Sequence, residues 1–297
     1  MTNAMAGSEK SGPVAARTPF RLDWLAVVPF LVFAVMFLIL PMVYILVGAF
    51  TDRAGNFTFD NILGLAAPQI VSAYWVSIRI SAVSAVLGAV IGLAISLAII
   101  RGRLPQGLRS AVVTFSGVAS NFAGVPLAFA FISTLGRLGL VTIILKTLGF
   151  DLYRSGFNLL SFWGLTLTYL YFQIPLMVLI ISPAVEGLKK EWNEAAQTLG
   201  ATNFQFWRYI GMPVLWPSIL GTLSLLFANA FGAIATAYAL TGSSINIVTA
   251  VLYAQIRGDA LQNPGLGAAL ALGMLVIASF ANVIYLVING RAERWRR

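Results

Sequence analysis

Apolar residues along this chain run in long blocks separated by short polar connectors. A helix needs roughly 20 such residues to cross a bilayer. Six blocks qualify, at about 24–50, 70–100, 111–135, 159–185, 214–240 and 266–288. Every Asp and Glu falls outside them, and Arg79 is the one formal charge inside. A membrane β-barrel would instead alternate apolar and polar residues. The pattern therefore predicts an all-α polytopic membrane protein with six transmembrane helices.

The connectors set the orientation. The N-terminal tail, the second and fourth connectors and the C-terminal tail hold thirteen Lys and Arg residues, against five on the other side. The positive-inside rule places both termini in the cytoplasm. Residues 1–23 read as a disordered cytoplasmic tail, 24–290 as the six-span transmembrane domain, and 291–297 as a basic cytoplasmic tail. The first apolar block is too long for a signal-peptide core and has no small-residue cleavage site after it. It reads as a retained span.

Within the second block, Ser84, Gly88, Gly92 and Ser96 form a row of small residues at helical spacing. Such rows let backbones approach closely. The row fits either packing inside the bundle or a dimer or moving interface. The third connector is amphipathic, with Leu138, Leu140, Val141, Ile144, Leu145 and Leu148 suiting a helix along the outer surface. A short helix is expected near 247–257 in the fifth connector.

Composition narrows the chemistry. Hydrophobic residues make up 59% of the chain and charged residues 10%, with a mean hydropathy of +0.87. Soluble domains carry about 25% charged residues. The net charge of +9 is explained by topology, so it does not point to nucleic acid. The chain has no Cys and no His. Disulfides, thiol chemistry and a histidine base are excluded, and no metal site is expected.

The connector at 186–213 is the most patterned polar segment. Trp192, Ala195, Ala196 and Leu199 recur at helical spacing and predict one apolar face. Gly200 suits a helix stop with a left-handed backbone. Asn203 is the expected N-cap of a second helix carrying Phe204, Phe206, Trp207 and Ile210. Pro213 fits the first turn of the fifth span, where its missing N–H costs nothing. The prediction is helix, sharp turn, helix, then return into the membrane. Two short helices at an angle make a knob that fills a groove on another protein.

These residues resemble the EAA loop of type I binding-protein-dependent ABC importer permeases. The matching positions are Glu194, Ala195, Ala196, Gly200, Ile210 and Pro213, with Met212 where Leu is usual. Gly124-Val-Pro126, Leu135-Gly-Arg-x-Gly139 and Leu252-Tyr-Ala-Gln255 also have counterparts in that family. The resemblance runs from about residue 70 to the C-terminus. It implies a type I ABC importer permease fold in the bacterial inner membrane, with a cytoplasmic coupling helix-turn-helix. It implies a partner ATPase dimer that binds ATP and Mg, a second permease subunit in a homo- or heterodimer, and an extracytoplasmic solute-binding protein. This chain would then carry no catalysis and no cofactor. Trp192, Ala195, Ala196 and Leu199 would bury in the ATPase, Glu194 would bond at the joint, and Gly200 would hold the bend. A lipid-lying amphipathic loop is the alternative, but Glu186, Glu191 and Glu194 suit an anionic surface poorly.

For the substrate path, Arg79 is a candidate because an intramembrane charge is costly, although it is close enough to the outer end of its helix to snorkel. Asn121, Tyr169, Tyr171, Gln173 and Tyr238 are polar groups at membrane depth that need partners. By resemblance the substrate is a polyamine of the spermidine/putrescine kind, with ferric iron, phosphonate or another small oxyanion as alternatives. An ATP-independent channel or secondary transporter is the rival class. Ion-coupled carriers commonly place Asp, Glu or His in their spans, and this chain has none. An intramembrane serine enzyme at Gly242-Ser243-Ser244 lacks any His or in-span Lys to act as base.

Overall fold

The computed structural model describes residues 23–102, 104–257 and 263–294. The tail predicted over 1–23 lies almost wholly outside these residues, and the basic tail at 291–297 lies partly outside them. The chain divides into two compact units, the first ending at Tyr44 and the second beginning at Ile45.

The first apolar block is one continuous helical run: α1 (Asp23–Ala34), a π-helical turn (Val35–Ile39) and α2 (Leu40–Ala49). The π turn has a local cause. Pro41 lacks the N–H that would reach the Phe37 carbonyl, and the Leu40 N–H reaches back to Val35 instead. Within the first unit, apolar side chains such as Phe30, Phe37 and Leu38 are exposed, as expected of a helix made for lipid or another chain.

The second unit contains α3 (Asp60–Gly64), α4 (Pro68–Arg101), α5 (Gln106–Asn121), α6 (Val125–Leu135) and α7 (Leu140–Thr147). It continues with α8 (Phe162–Glu186), α9 (Lys190–Thr198), α10 (Asn203–Phe206) and α11 (Met212–Phe231). It closes with α12 (Ile234–Thr241), α13 (Val248–Arg257) and α14 (Pro264–Arg294). Among the described residues six helical stretches are long and apolar enough to cross a membrane.

Two predicted blocks differ from the observed helices. The block at 111–135 is interrupted between α5 and α6, and the apolar run long enough to cross starts at Val125 and continues through a turn to Thr147. The block at 214–240 is divided at Gly232 and Ala233 between α11 and α12. Hydropathy sees only that residues are apolar and is blind to such breaks. A helix does form over the third connector, α7, and one forms near 247–257, α13.

Helix α8 is the most buried of the six and packs on α4, α5 and α11. Lipid tails are as apolar as Leu, so close packing and hydrogen bonds, more than expulsion of water, hold such helices together. The row Ser84, Gly88, Gly92 and Ser96 supplies both. All four are buried against α8 of the same chain. A Cβ on Gly88 would lie 2.9 Å from the Gln173 Cβ, and one on Gly92 would lie 2.6 Å from the Met177 Cβ. Ser96 and Ser182 share a hydroxyl–hydroxyl bond of 3.1 Å. The small-residue row is thus packing inside the bundle.

Gln173, fully buried on α8, joins three helices. Its amide donates to the Leu226 carbonyl (3.2 Å) and accepts from the Ser84 hydroxyl (2.9 Å). Beyond it along α8, Met177, Ile181, Val185, Leu188, Leu215 and Leu226 form an apolar cluster that reaches the base of α9.

Candidate functional site

Two regions collect polar or exposed groups that the bundle does not need. One is the knob formed by α9 and α10, and the other is the pair of helix breaks.

The knob is rigid because both ends of its turn are capped. Gly200 has φ +82°, the left-handed conformation predicted for it. The Ala201 N–H donates to the Ala196 carbonyl (2.9 Å) and the Gly200 N–H to Gln197 (2.9 Å), a Schellman closure of α9. The N-cap of α10 is Thr202, one residue before the predicted Asn203. Its hydroxyl accepts from the Gln205 N–H (3.3 Å), while the Gln205 side chain accepts from the Thr202 N–H (2.8 Å). This capping box depends on Gln at the third helical position, which selects Thr202 over Asn203.

The second helix is not a separate short one. α10 passes through a π turn (Trp207–Gly211) directly into α11. The cause repeats that of the first span. Pro213 cannot bond the Tyr209 carbonyl, and the Met212 N–H reaches Trp207. A Cβ on Gly211 would lie 2.6 Å from the Trp207 ring, so glycine lets that ring fold back.

The predicted apolar face of α9 is split. Trp192 is 38% exposed and Leu199 88% exposed, and Ala195 is also exposed. Ala196 is buried against its own chain at 7%. Glu194 is exposed and pairs with Lys190 at 3.1 Å, one helical turn away. Ile210 is half-buried within the π turn, and Pro213 is exposed at the start of α11. Phe204, 71% exposed, adds to the apolar surface of the knob.

The second region sits deeper. α5 ends at Asn121, and Gly124 turns the chain at φ +76° before α6 starts with Val125 and Pro126. α11 ends at Phe231, and Ala233 caps α12. The two breaks face each other. The Gly124 N–H donates to the Thr236 hydroxyl at 2.7 Å, and the Tyr169 hydroxyl donates to the Ala233 carbonyl at 3.1 Å. Between them lies a cavity of about 360 Å³ lined by Ser120, Gly124, Asn229 and Thr236, with Phe172, Ile234 and several alanines as apolar neighbours. No carboxylate is among the residues that line it. The first N–H groups of α6 and α12 lack intrahelical acceptors, and Pro126 removes one of them. Irregular backbone at membrane depth is tolerated where it is buried in protein or lines such a cavity.

The predicted path residues divide accordingly. Tyr169 pins the second break, and Asn121 closes α5 beside the first, its amide donating to the Gly117 carbonyl (2.9 Å). Tyr171 packs edge-on against Phe122 and Phe131, and Tyr238 lies against Tyr253 with centroids 4.8 Å apart. Arg79 is exposed with its guanidinium over the Phe162 ring at 5.6 Å, away from the cavity lining. Asn229 and Thr236 were not predicted. Gly232 just past Asn229 was the available signal, since glycine inside an apolar run weakens a helix.

A family model described as binding-protein-dependent transport system inner membrane component matches residues 88–294. The molybdenum transport system permease protein of Mycobacterium tuberculosis is 26% identical over 217 residues, 72% of this chain and 78% of that protein. The sulfate transport system permease protein of Salmonella typhimurium is 27% identical over 168 residues, 56% of this chain and 57% of that protein. A bacterial ABC transporter involved in the import of the acidic polysaccharide alginate has a chain that superposes with a TM-score of 0.69 at 22% identity, covering 92% of this chain and 95% of that one. A methionine ABC transporter in an inward-facing conformation gives a TM-score of 0.54 at 15% identity, covering 75% and 95%. At these identities the two structures show the fold alone.

Proposed function

This chain belongs to the family of binding-protein-dependent transport system inner membrane components and is the permease of an ABC importer, and we propose that its cargo is a small tetrahedral oxyanion of the sulfate or molybdate kind. The observation that carries this reading is the meeting of two interrupted helices at a cavity whose only polar side chains are Ser120, Asn229 and Thr236, with no carboxylate among the described residues that line it. Helix N-termini favour negative charge, and in transporters the N-termini of broken helices point at anionic groups. A polyamine carries several positive charges and needs acids to balance them. The spermidine/putrescine reading has no support from the relatives named above, which serve molybdenum and sulfate.

The knob of α9 and α10 is the contact for a separate cytoplasmic ATPase dimer, which binds ATP and Mg and does the hydrolysis. Its capped turn suits force transmission, and Trp192, Leu199 and Phe204 offer exposed apolar anchors. A second permease subunit and an extracytoplasmic solute-binding protein complete the machine, with both termini of this chain in the cytoplasm. The test is uptake into proteoliposomes containing the permease, its ATPase and its binding protein. Radiolabelled sulfate or molybdate accumulates with ATP, and spermidine does not. Spermidine accumulation without either oxyanion would sink the substrate reading. Full activity in the absence of any ATPase would sink the coupling reading.

A further inference from the structure

A second cavity, of about 670 Å³, opens at the knob end of the bundle. Its walls come from the ends of α4, α5 and α8, the start of α9, and Trp207. Four cations line it: Arg101, Arg109, Lys189 and Lys190. Two are already engaged, because Arg109 is paired with Glu186 and Lys190 with the outward-facing Glu194. Arg101 and Lys189 have no carboxylate partner among the described residues. Arg101 is held over the Trp207 ring at 5.8 Å, and its Nη2 is shut off from solvent with no acceptor among the described residues. A buried guanidinium nitrogen without an acceptor is costly, and its natural complement is an anionic oxygen.

We propose that this cavity binds the phosphate of an anionic phospholipid headgroup. The size is too generous for a lone tetrahedral anion and suits a phosphate with its glycerol body. Its position at the ends of the spanning helices is headgroup level, and Phe206 and Trp207 give it an apolar side. Basic pockets between spanning helices on the cytoplasmic side are suited to lipid headgroups. That side is cytoplasmic in the functional reading above, on which the choice of leaflet rests. The phosphate bridges Arg101 of the bundle to Lys189 of the knob, so the lipid ties the coupling segment to the spans it drives.

The experiment is native mass spectrometry of the full-length permease complex in mild detergent, with phosphatidylglycerol or phosphatidylcholine added. Phosphatidylglycerol is retained in preference to phosphatidylcholine. Arg101→Gln and Lys189→Gln each weaken that retention about fivefold, and Lys146→Gln, on α7, leaves it unchanged. Inorganic phosphate at tens of millimolar does not displace the lipid. Equal retention by wild type and both variants overturns the proposal, and Lys189→Gln keeps this readable if Arg101→Gln misfolds. Displacement by inorganic phosphate overturns it in favour of a soluble anion. Retention is read without transport, so its failure leaves oxyanion uptake standing, and a failure of uptake leaves retention standing.

Discussion

The backbone N–H of Gly124 donates to the hydroxyl of Thr236 at 2.7 Å, joining two helix breaks 112 residues apart in sequence. Each break alone would leave polar backbone groups exposed to lipid. Together they give one another partners and border a shared cavity. Thr236→Ala leaves the Gly124 N–H without its acceptor, a loss of about 1–3 kcal/mol. The expected result is a lower melting temperature in detergent and reduced uptake of the proposed oxyanion, with Thr236→Ser close to wild type. Thr236→Ala with full uptake would remove this bond from the account of the path.

Gly200 holds the turn of the knob at φ +82°. Alanine there costs about 1–2 kcal/mol, and asparagine costs less. No atom lies within 4 Å of the place its Cβ would take, so the penalty is conformational and not steric. Gly200→Ala is expected to insert and extract normally while ATP-driven uptake falls, with Gly200→Asn in between. Normal uptake by Gly200→Ala would show that the bend is not needed for coupling.

Leu199 is 88% exposed and contributes little to folding. Leu199→Ser should therefore leave stability within about 0.5 kcal/mol of wild type. In the proposed coupling role its loss is expected to weaken ATPase association about tenfold or more. Co-purification in mild detergent measures this, starting from a wild-type complex with a stoichiometric soluble ATPase. Undiminished recovery of the ATPase with Leu199→Ser and Trp192→Ser would count against the knob as its seat.

Two glycines should respond in opposite directions. Gly92→Ala pushes a methyl to within 2.6 Å of the Met177 Cβ and is expected to cost about 1–3 kcal/mol. Gly107 lies in α5 with nothing within 4 Å of where a methyl would stand, and Gly107→Ala should gain up to about 1 kcal/mol from helix propensity. Thermal unfolding of the two variants side by side checks both.

The spans were legible because lipid imposes a simple rule on length and polarity, and the knob was legible because Gly200 reaches a left-handed backbone that other residues avoid and Pro213 suits a first helical turn. The N-cap was missed by one position because Asn203 and Thr202 are both good caps, and only the bond to Gln205 separates them. The burial of Ala196 was missed because periodicity reports an apolar stripe without saying which part of it faces home. The broken spans were hidden for a different reason. Gly124, Gly232 and Ala233 are all compatible with an apolar run, and the partner that makes a break tolerable lies on another helix.

The seam between α4 and α8 has a consequence for how the machine moves. Gly88 and Gly92 admit Gln173 and Met177 as notches admit teeth, and Ser96 is fastened to Ser182 beyond them. A tooth cannot slide along such a seam without climbing over a methyl-sized wall, so α4 and α8 travel as one piece. Any opening and shutting of the path falls to the divided helices around that keel, where the backbone is already interrupted and only a few bonds need to be exchanged.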